Sequence, residues 1–375
     1  MMNVTVVGGG NLGTLLSAKL SLNDDISTTL FTNNSLNFSS EIEVFDEENQ
    51  TTFVSNKIAV TNDYAVALGN ADVVLCTYPS FLREDFIKVA SEYIKATALL
   101  GFVPGSGGVE FMTTDLLEKG VCIFGLSRVP YICRVKEYGK SVISKSKKQE
   151  IFVGAIPQKR TKHVADVIEN LLGIKTTGLS SYLAVTLTPS NPILHTTRLY
   201  SIFKDYSKGF IYENVPLFYE DWTEFASKLL VDCDTELQEI CKKLSHYNTL
   251  EIRDIPSILA HYQVVDSLEL TKKIRSIPSF KKITTPMVKQ SNGFEPDFSS
   301  RYFTEDFPYG LAIIKAIGLL IRSQTSTIDT ILDWYSTLIE EHYFDGITLG
   351  KDVSKCGVPQ KYGINHLEDF IAIYK

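Results

Sequence analysis

Val4-Thr5-Val6-Val7-Gly8-Gly9-Gly10-Asn11-Leu12-Gly13 is the stretch that decides the fold. A β-branched apolar run ends in glycines, and Leu12, Leu15, Leu16, Lys19 and Leu20 then follow at helical spacing. Gly8, Gly10 and Gly13 make G-x-G-x-x-G between a strand and a helix. The first glycine suits a tight turn, the second a close backbone approach to a pyrophosphate, and the third the packing of helix on strand. The helix N-terminal amides of Asn11, Leu12 and Gly13 then face the phosphates. The plainer alternative is a tight strand-to-helix turn without a ligand.

Working outward, Ile26–Thr32 reads as a second strand, and Glu41–Phe45 with Thr51–Ser55 as a hairpin around Asp46-Glu47-Glu48-Asn49. Ala71–Thr77 is a continuous apolar strand of the kind buried on both faces of a parallel sheet. A helix over 80–94, a strand over 97–103, the turn Pro104-Gly105-Ser106-Gly107-Gly108, a helix from Val109 and a strand over 121–126 complete a doubly wound α/β pattern. Three β-like segments (131–135, 141–145 and 150–155) are expected to add antiparallel strands, and a helix over 163–172 closes the domain. After about Ser181 helical windows dominate, at 193–204, 222–244, 267–276, 307–321 and 326–341. The expected architecture is α/β, an N-terminal Rossmann-type doubly wound sheet (1–180) followed by a mostly α-helical substrate domain (181–375).

The end of the second strand bears on the cofactor. An acidic residue there would hold a ribose 2′-hydroxyl, but the sequence reads Phe31-Thr32-Asn33-Asn34-Ser35. Thr32, Asn33 and Asn34 are neutral donors that tolerate a 2′-phosphate. NADP is therefore the expected cofactor, with NAD held through hydroxyls and amides as the alternative.

Composition narrows the class of partner. The chain has 375 residues, 44% hydrophobic and 22% charged, and its net charge of −7 disfavours a sequence-independent nucleic-acid binder. No apolar run reaches the roughly 20 residues that span a bilayer. The N-terminus lacks the features of a signal peptide. The six cysteines (76, 122, 133, 233, 241 and 356) form no CxxC pair, and the six histidines have no metal-site spacing. The expectations are a cytoplasmic protein with reduced thiols, no metal and no membrane or nucleic-acid partner, with a homodimer as the assembly to test for.

The helical half carries two polar constellations. In Thr188-Pro189-Ser190-Asn191-Pro192-Ile193-Leu194-His195, Asn191 suits a helix cap and Pro192 the first helical position. His195 then falls in the first turn. Arg301-Tyr302-Phe303-Thr304-Glu305-Asp306-Phe307-Pro308-Tyr309-Gly310 carries a guanidinium, whose fork matches a carboxylate, and acidic groups able to orient an imidazole. A structural histidine and a surface ion-pair cluster are the bland readings of the two.

Together these residues resemble the octopine/opine dehydrogenase family. The matching stretches are VVGGGNLG, PGSGG at 104–108, RVPYICRVKEYGK at 128–140, NPILH at 191–195, VPLFYEDWT at 215–223 and RYFTEDFPYG at 301–310. The resemblance implies a Rossmann domain plus a helical opine domain. It implies an enzyme that condenses a 2-keto acid, usually pyruvate, with the amino group of an amino acid or a derivative of one, and reduces the imine with NAD(P)H. It further implies that His195 is the catalytic histidine, Asp306 its paired aspartate and Arg301 the arginine that holds the keto-acid carboxylate. Ser106, Gly107 and Cys133 fall in segments that line the amino-acid pocket in relatives. The rival readings are a ketopantoate reductase-like or other 2-keto/hydroxy-acid dehydrogenase, or a non-catalytic NAD(P)-binding sensor.

Overall fold

The structure, a computed structural model, describes residues 1–188, 191–247, 252 and 255–374. The chain divides into two compact units, Met1–Thr186 together with Ile371–Lys375, and Leu187–Phe370.

The first unit is built on β1 (Met2–Val7), α1 (Asn11–Leu20), β2 (Ile26–Phe31), β3 (Glu43–Asp46), β4 (Thr51–Val54), β5 (Ala59–Thr61), α2 (Tyr64–Leu68) and β6 (Val73–Cys76). It continues through α3 (Arg83–Tyr93), β7 (Leu99–Phe102), the short α4 (Val109–Met112) and α5 (Thr114–Glu118), and β8 (Cys122–Leu126). The strands β9 (Tyr131–Glu137), β10 (Ser141–Lys147) and β11 (Glu150–Ile156), then α6 (Thr161–Leu172) and β12 (Lys175–Gly178), complete it, and the short α7 (Leu183–Leu187) ends at the division between the units.

The main sheet runs β12-β11-β8-β7-β6-β1-β2-β5. The six strands from β5 to β8 are parallel, and β11 pairs antiparallel with β8. Numbered in order of appearance, those six follow the 3-2-1-4-5-6 order of a Rossmann fold, with the topological switch at β1 and β6. Every residue of β6, β7 and β8 is buried, as a sheet covered on both faces requires. The expected hairpin is present as β3 and β4. However, β9 and β10 do not extend the main sheet: β10 lies parallel to β3, giving a separate four-stranded sheet β4-β3-β10-β9.

The second unit holds α8 (Asn191–Phe203), α9 (Glu224–Ser245), α10 (Ile258–Tyr262), α11 (Ser267–Ser276), α12 (Arg301–Thr304), α13 (Ala312–Leu320) and α14 (Ser326–Ile339). Long α9 buries Ala226, Leu230, Cys233, Leu237, Ile240 and Leu244 along one stripe. Thr223 caps its start by accepting from the Ala226 amide. The helix expected over 307–321 opens instead with a π-helical turn, Phe307–Leu311, in which Pro308 has no amide to donate. The helix expected to be capped by Asn191 begins at that residue, while Pro189 and Ser190 lie outside the described residues. Among the described residues no helix is long and apolar enough to cross a membrane, and no group of three or more His, Cys, Asp and Glu is placed to hold a metal.

One buried carboxyl in the first unit stands apart. Glu110, at 0% exposure, accepts from Thr186 Oγ1 at 2.5 Å and Tyr374 Oη at 3.1 Å, while its Oε2 has no partner among the described residues. Burial raises its pKa to about 7 from 4.5. Between those values the folded chain holds a proton that the unfolded chain has released, so stability falls as pH rises from 4.5 to 7 and then levels. This one group should account for about 3 kcal/mol of that fall. Glu110→Gln, a mimic of the protonated acid, should flatten that part of the profile when denaturation midpoints are measured from pH 4.5 to 8.

Candidate active site

The glycine loop leaves the carboxyl end of β1, where the Gly8 amide donates to Phe31 O (2.9 Å) and Thr77 Oγ1 donates to Val7 O (2.9 Å). A Cβ on Gly13 would collide with the Gly8 carbonyl oxygen, so only glycine lets α1 sit this close to the strand. Gly10 differs: a Cβ there meets nothing within 4 Å, and no side chain caps the α1 amides. An uncapped ten-residue helix start beside open space fits a pyrophosphate, which those amides and the helix dipole would hold. Asn11 Oδ1 accepts from the Val135 amide at 2.8 Å and ties the loop to β9, while Leu12 packs against the core.

Thr32 is buried just past β2, and its amide donates to Thr61 O (2.9 Å). Asn33 is exposed, and Asn34 donates from Nδ2 to Tyr138 Oη at 3.2 Å. The Ser106–Gly107 turn is held by a residue the sequence reading missed. Arg83 of α3, 1% exposed, donates to the backbone oxygens of Tyr78 (3.0 Å), Pro104 (2.9 Å) and Ser106. Cys133 sits in β9 within the hydrophobic core, where burial pushes its thiol up to about 11.

In the second unit, His195 on α8 meets Asp306 across 111 residues of sequence: Nδ1 lies 2.8 Å from Asp306 Oδ2. The approach depends on Gly310, whose Cβ would come within 2.6 Å of the Pro192 ring. Burial raises the Asp306 carboxyl above its ordinary value, and His195 pulls against that shift. The other imidazole nitrogen, Nε2, lies 2.8 Å from Tyr219 Oη, a partner that no motif had singled out. Arg301 stands five positions before Asp306, with its side chain 66% exposed and its Nε donating to Glu305 Oε2 at 2.6 Å. The Arg301 end of the pair is open to solvent while the Glu305 side chain is only 15% exposed, so a substrate carboxylate can reach the guanidinium from the solvent side. An imidazole oriented by a carboxylate can move a proton, and a solvent-facing arginine one turn away can hold an anion.

A Rossmann-type dinucleotide loop in one unit and a histidine–aspartate pair in a helical second unit define a two-unit nicotinamide-dependent oxidoreductase. Residues 178–339 match the family model described as NAD/NADP octopine/nopaline dehydrogenase, alpha-helical domain. The octopine dehydrogenase of Pecten maximus is 26% identical over 98% of both chains, and the tauropine dehydrogenase of Arabella iricolor is 27% identical over 99% of this chain and all of its own. A solved octopine dehydrogenase with NADH and L-arginine superposes with a TM-score of 0.91 at 24% identity, covering 100% of this chain and 99% of that one. Residues 178–339 thus carry the helical domain of that family model, and the whole chain is similar to octopine and tauropine dehydrogenases over nearly its full length.

The loop geometry separates two glycine substitutions. Gly13→Ala should destabilise the protein by roughly 1–3 kcal/mol, because the collision is with backbone. Gly10→Ala should leave the melting temperature unchanged and weaken nucleotide binding, read by fluorescence titration with NADH and NADPH.

Proposed function

We propose that the chain is an NAD(P)-dependent opine dehydrogenase. It condenses a 2-keto acid, pyruvate in the first instance, with the amino group of an amino acid or amino-acid derivative, and reduces the imine to a secondary amine. The observation that carries this reading is His195 held by Asp306 with Arg301 one turn away, in a helical unit that matches the family model. Residues 1–180 serve the cofactor and 181–375 the substrates. Gly8, Gly10, Asn11, Leu12 and Gly13 hold the pyrophosphate, and Thr32, Asn33 and Asn34 face the ribose. With no carboxylate from Thr32 to Ser35, NADPH is the favoured reductant. Six buried free thiols suit a reducing, cytoplasmic setting.

The keto-acid carboxylate displaces Glu305 from Arg301, which aligns the carbonyl carbon for attack by the amine. Asp306 fixes the His195 ring with Nδ1–H toward it, so the opposite side of the ring handles the proton that the keto oxygen gains as the carbinolamine forms and then loses water. A reduced nicotinamide supplies the hydride that turns the imine carbon into an amine carbon. Ser106, Gly107 and the β9 segment around Cys133 contribute to the amino-substrate pocket, with Arg83 fixing the Ser106 backbone.

The deciding experiment follows NAD(P)H oxidation with pyruvate and an amino-acid panel, each alone and paired. Oxidation only with both substrates supports the reaction, whereas oxidation with a keto acid alone assigns a simple 2-keto-acid reductase. His195→Ala should lower kcat by roughly 10²–10⁴ with nucleotide binding intact. Arg301→Ala should chiefly raise KM for the keto acid. A rise confined to the amino substrate would move the carboxylate clamp elsewhere.

A further inference from the structure

A general acid must reach the atom it protonates, yet both ring nitrogens of His195 are engaged, Nδ1 by Asp306 and Nε2 by Tyr219. A carboxylate accepts, so Nδ1 carries hydrogen; in the neutral ring Nε2 then accepts, and the Tyr219 hydroxyl donates to it. Tyr219 is not poised to swing aside. It is 4% exposed, and its ring stacks on Phe280 at 4.0 Å with planes 16° apart and runs nearly parallel to Trp222 at 6.3 Å.

The backbone carrying Tyr219 is fixed too. Arg198, three residues after His195 on α8 and 2% exposed, donates to Phe218 O at 2.7 Å and Leu217 O at 3.2 Å. Burial lowers its pKa to about 10, which leaves it protonated at neutral pH. One helix therefore positions both the imidazole and the hydroxyl upon it. Burial raises the Tyr219 pKa, and Tyr302 is near enough to act on the hydroxyl and add to that rise. Tyr302 is less buried than Tyr219, is the chain neighbour of Arg301, and has its ring centre 4.5 Å from that of His195.

We propose that Tyr219 and Tyr302 form a proton relay between His195 and the substrate oxygen, so that the group meeting the substrate is a tyrosine hydroxyl rather than the imidazole. This rests on the reaction proposed above and deepens it. Once His195 is protonated, Nε2–H donates to Tyr219 Oη instead of accepting from it; in the condensing direction that Nε2–H bond breaks and its proton bonds to Tyr219 Oη. The proton Tyr219 carried passes to Tyr302 Oη, and the one Tyr302 carried passes to the former keto oxygen. The imidazole ends neutral, both tyrosines end as phenols, the substrate oxygen gains one proton, and no electrons change hands. Burial pushes ionisation of Tyr219 well above the ordinary phenol value, so the hops are concerted and no tyrosinate accumulates.

Tyr219→Phe keeps the stacked ring and deletes one oxygen. In the whole enzyme it should lower kcat about 10²-fold, leave nucleotide affinity and both KM values within about twofold, and straighten a proton inventory that is curved in the wild type. Tyr302→Phe should straighten it as well. Undiminished kcat in Tyr219→Phe, or curvature persisting in both variants, overturns the relay. So does a Tyr219→Phe loss carried by KM and melting temperature with the inventory unaltered, which marks a structural role. Nitrogen-15 NMR of the histidines, without substrate, reads the first link independently of turnover. Tyr219→Phe should shift the His195 Nε2 resonance, and an unmoved resonance overturns the link. If wild-type enzyme turns over no substrate pair while that resonance moves, the proposed reaction fails and the hydrogen-bonded link stands.

Discussion

The hydrogen bond from His195 to Asp306 imposes the main constraint on the helical unit, because it holds a carboxylate in a position that burial disfavours. A buried charge stripped of its partner typically costs about 3–5 kcal/mol, so the two elements that bring these residues together must be rigid. The surrounding packing supplies that rigidity. Pro192 at the start of α8 presses on Gly310, and the π-helical turn after Asp306 carries Phe307 against Tyr335 at 3.9 Å. Tyr335 in turn donates to Phe303 O at 3.0 Å, which fixes the segment just before Asp306. The π turn breaks helical regularity directly after Asp306, in keeping with the frequent use of such turns at functional sites.

Both units use a buried arginine in the same way. Arg83 gathers backbone oxygens of Tyr78, Pro104 and Ser106, and Arg198 those of Leu217 and Phe218. Loop carbonyls drawn away from water need donors, and a guanidinium provides five from one residue. Each arginine thereby converts a loop that would otherwise require solvent into a fixed platform. One platform carries the Ser106–Gly107 turn and the other Tyr219. Removing either guanidinium would leave several acceptors unsatisfied at once, so its effect would reach the loop before it reached global stability.

The parts of the fold legible in the sequence were those with strong local signals. The apolar strands β6 to β8 and the glycine loop were plain from composition and position, as was α11 from its periodicity. The parts that escaped are short or set by distant contacts. β5 has three residues and α2 five, too few for either to show a period, and β12 (Lys-Thr-Thr-Gly) gains its place by pairing with β11. The placement of β9 and β10 in a second sheet follows from the parallel pairing of β10 with β3, nearly a hundred residues earlier, which no local pattern encodes. In the candidate site, His195, Asp306 and Arg301 sit in recognisable motifs. Tyr219 lies in the VPLFYEDWT run, where an aromatic among aromatics reads as core until its hydroxyl is seen against Nε2. Arg83 and Arg198 look like ordinary helical cations in sequence, and only burial separates them from surface residues.

Charge gives Glu305 a second meaning. A protein of net charge −7 repels small anions at a distance, so an anionic substrate needs a local cation to overcome that field. Arg301 is the cation proposed for that task, and the structure shows it paired with Glu305. A fully free guanidinium would bind any passing anion, whereas one already paired with a carboxylate yields only to a ligand that offers a better bidentate fit or further contacts. The carboxylate of a 2-keto acid meets that demand when its carbonyl is held as well, and the hydroxyl of Tyr302, the chain neighbour of Arg301, offers such a donor. Under the proposed reaction, selectivity for a keto acid over a plain carboxylate would come from requiring both contacts together, with Glu305 competing for one of them.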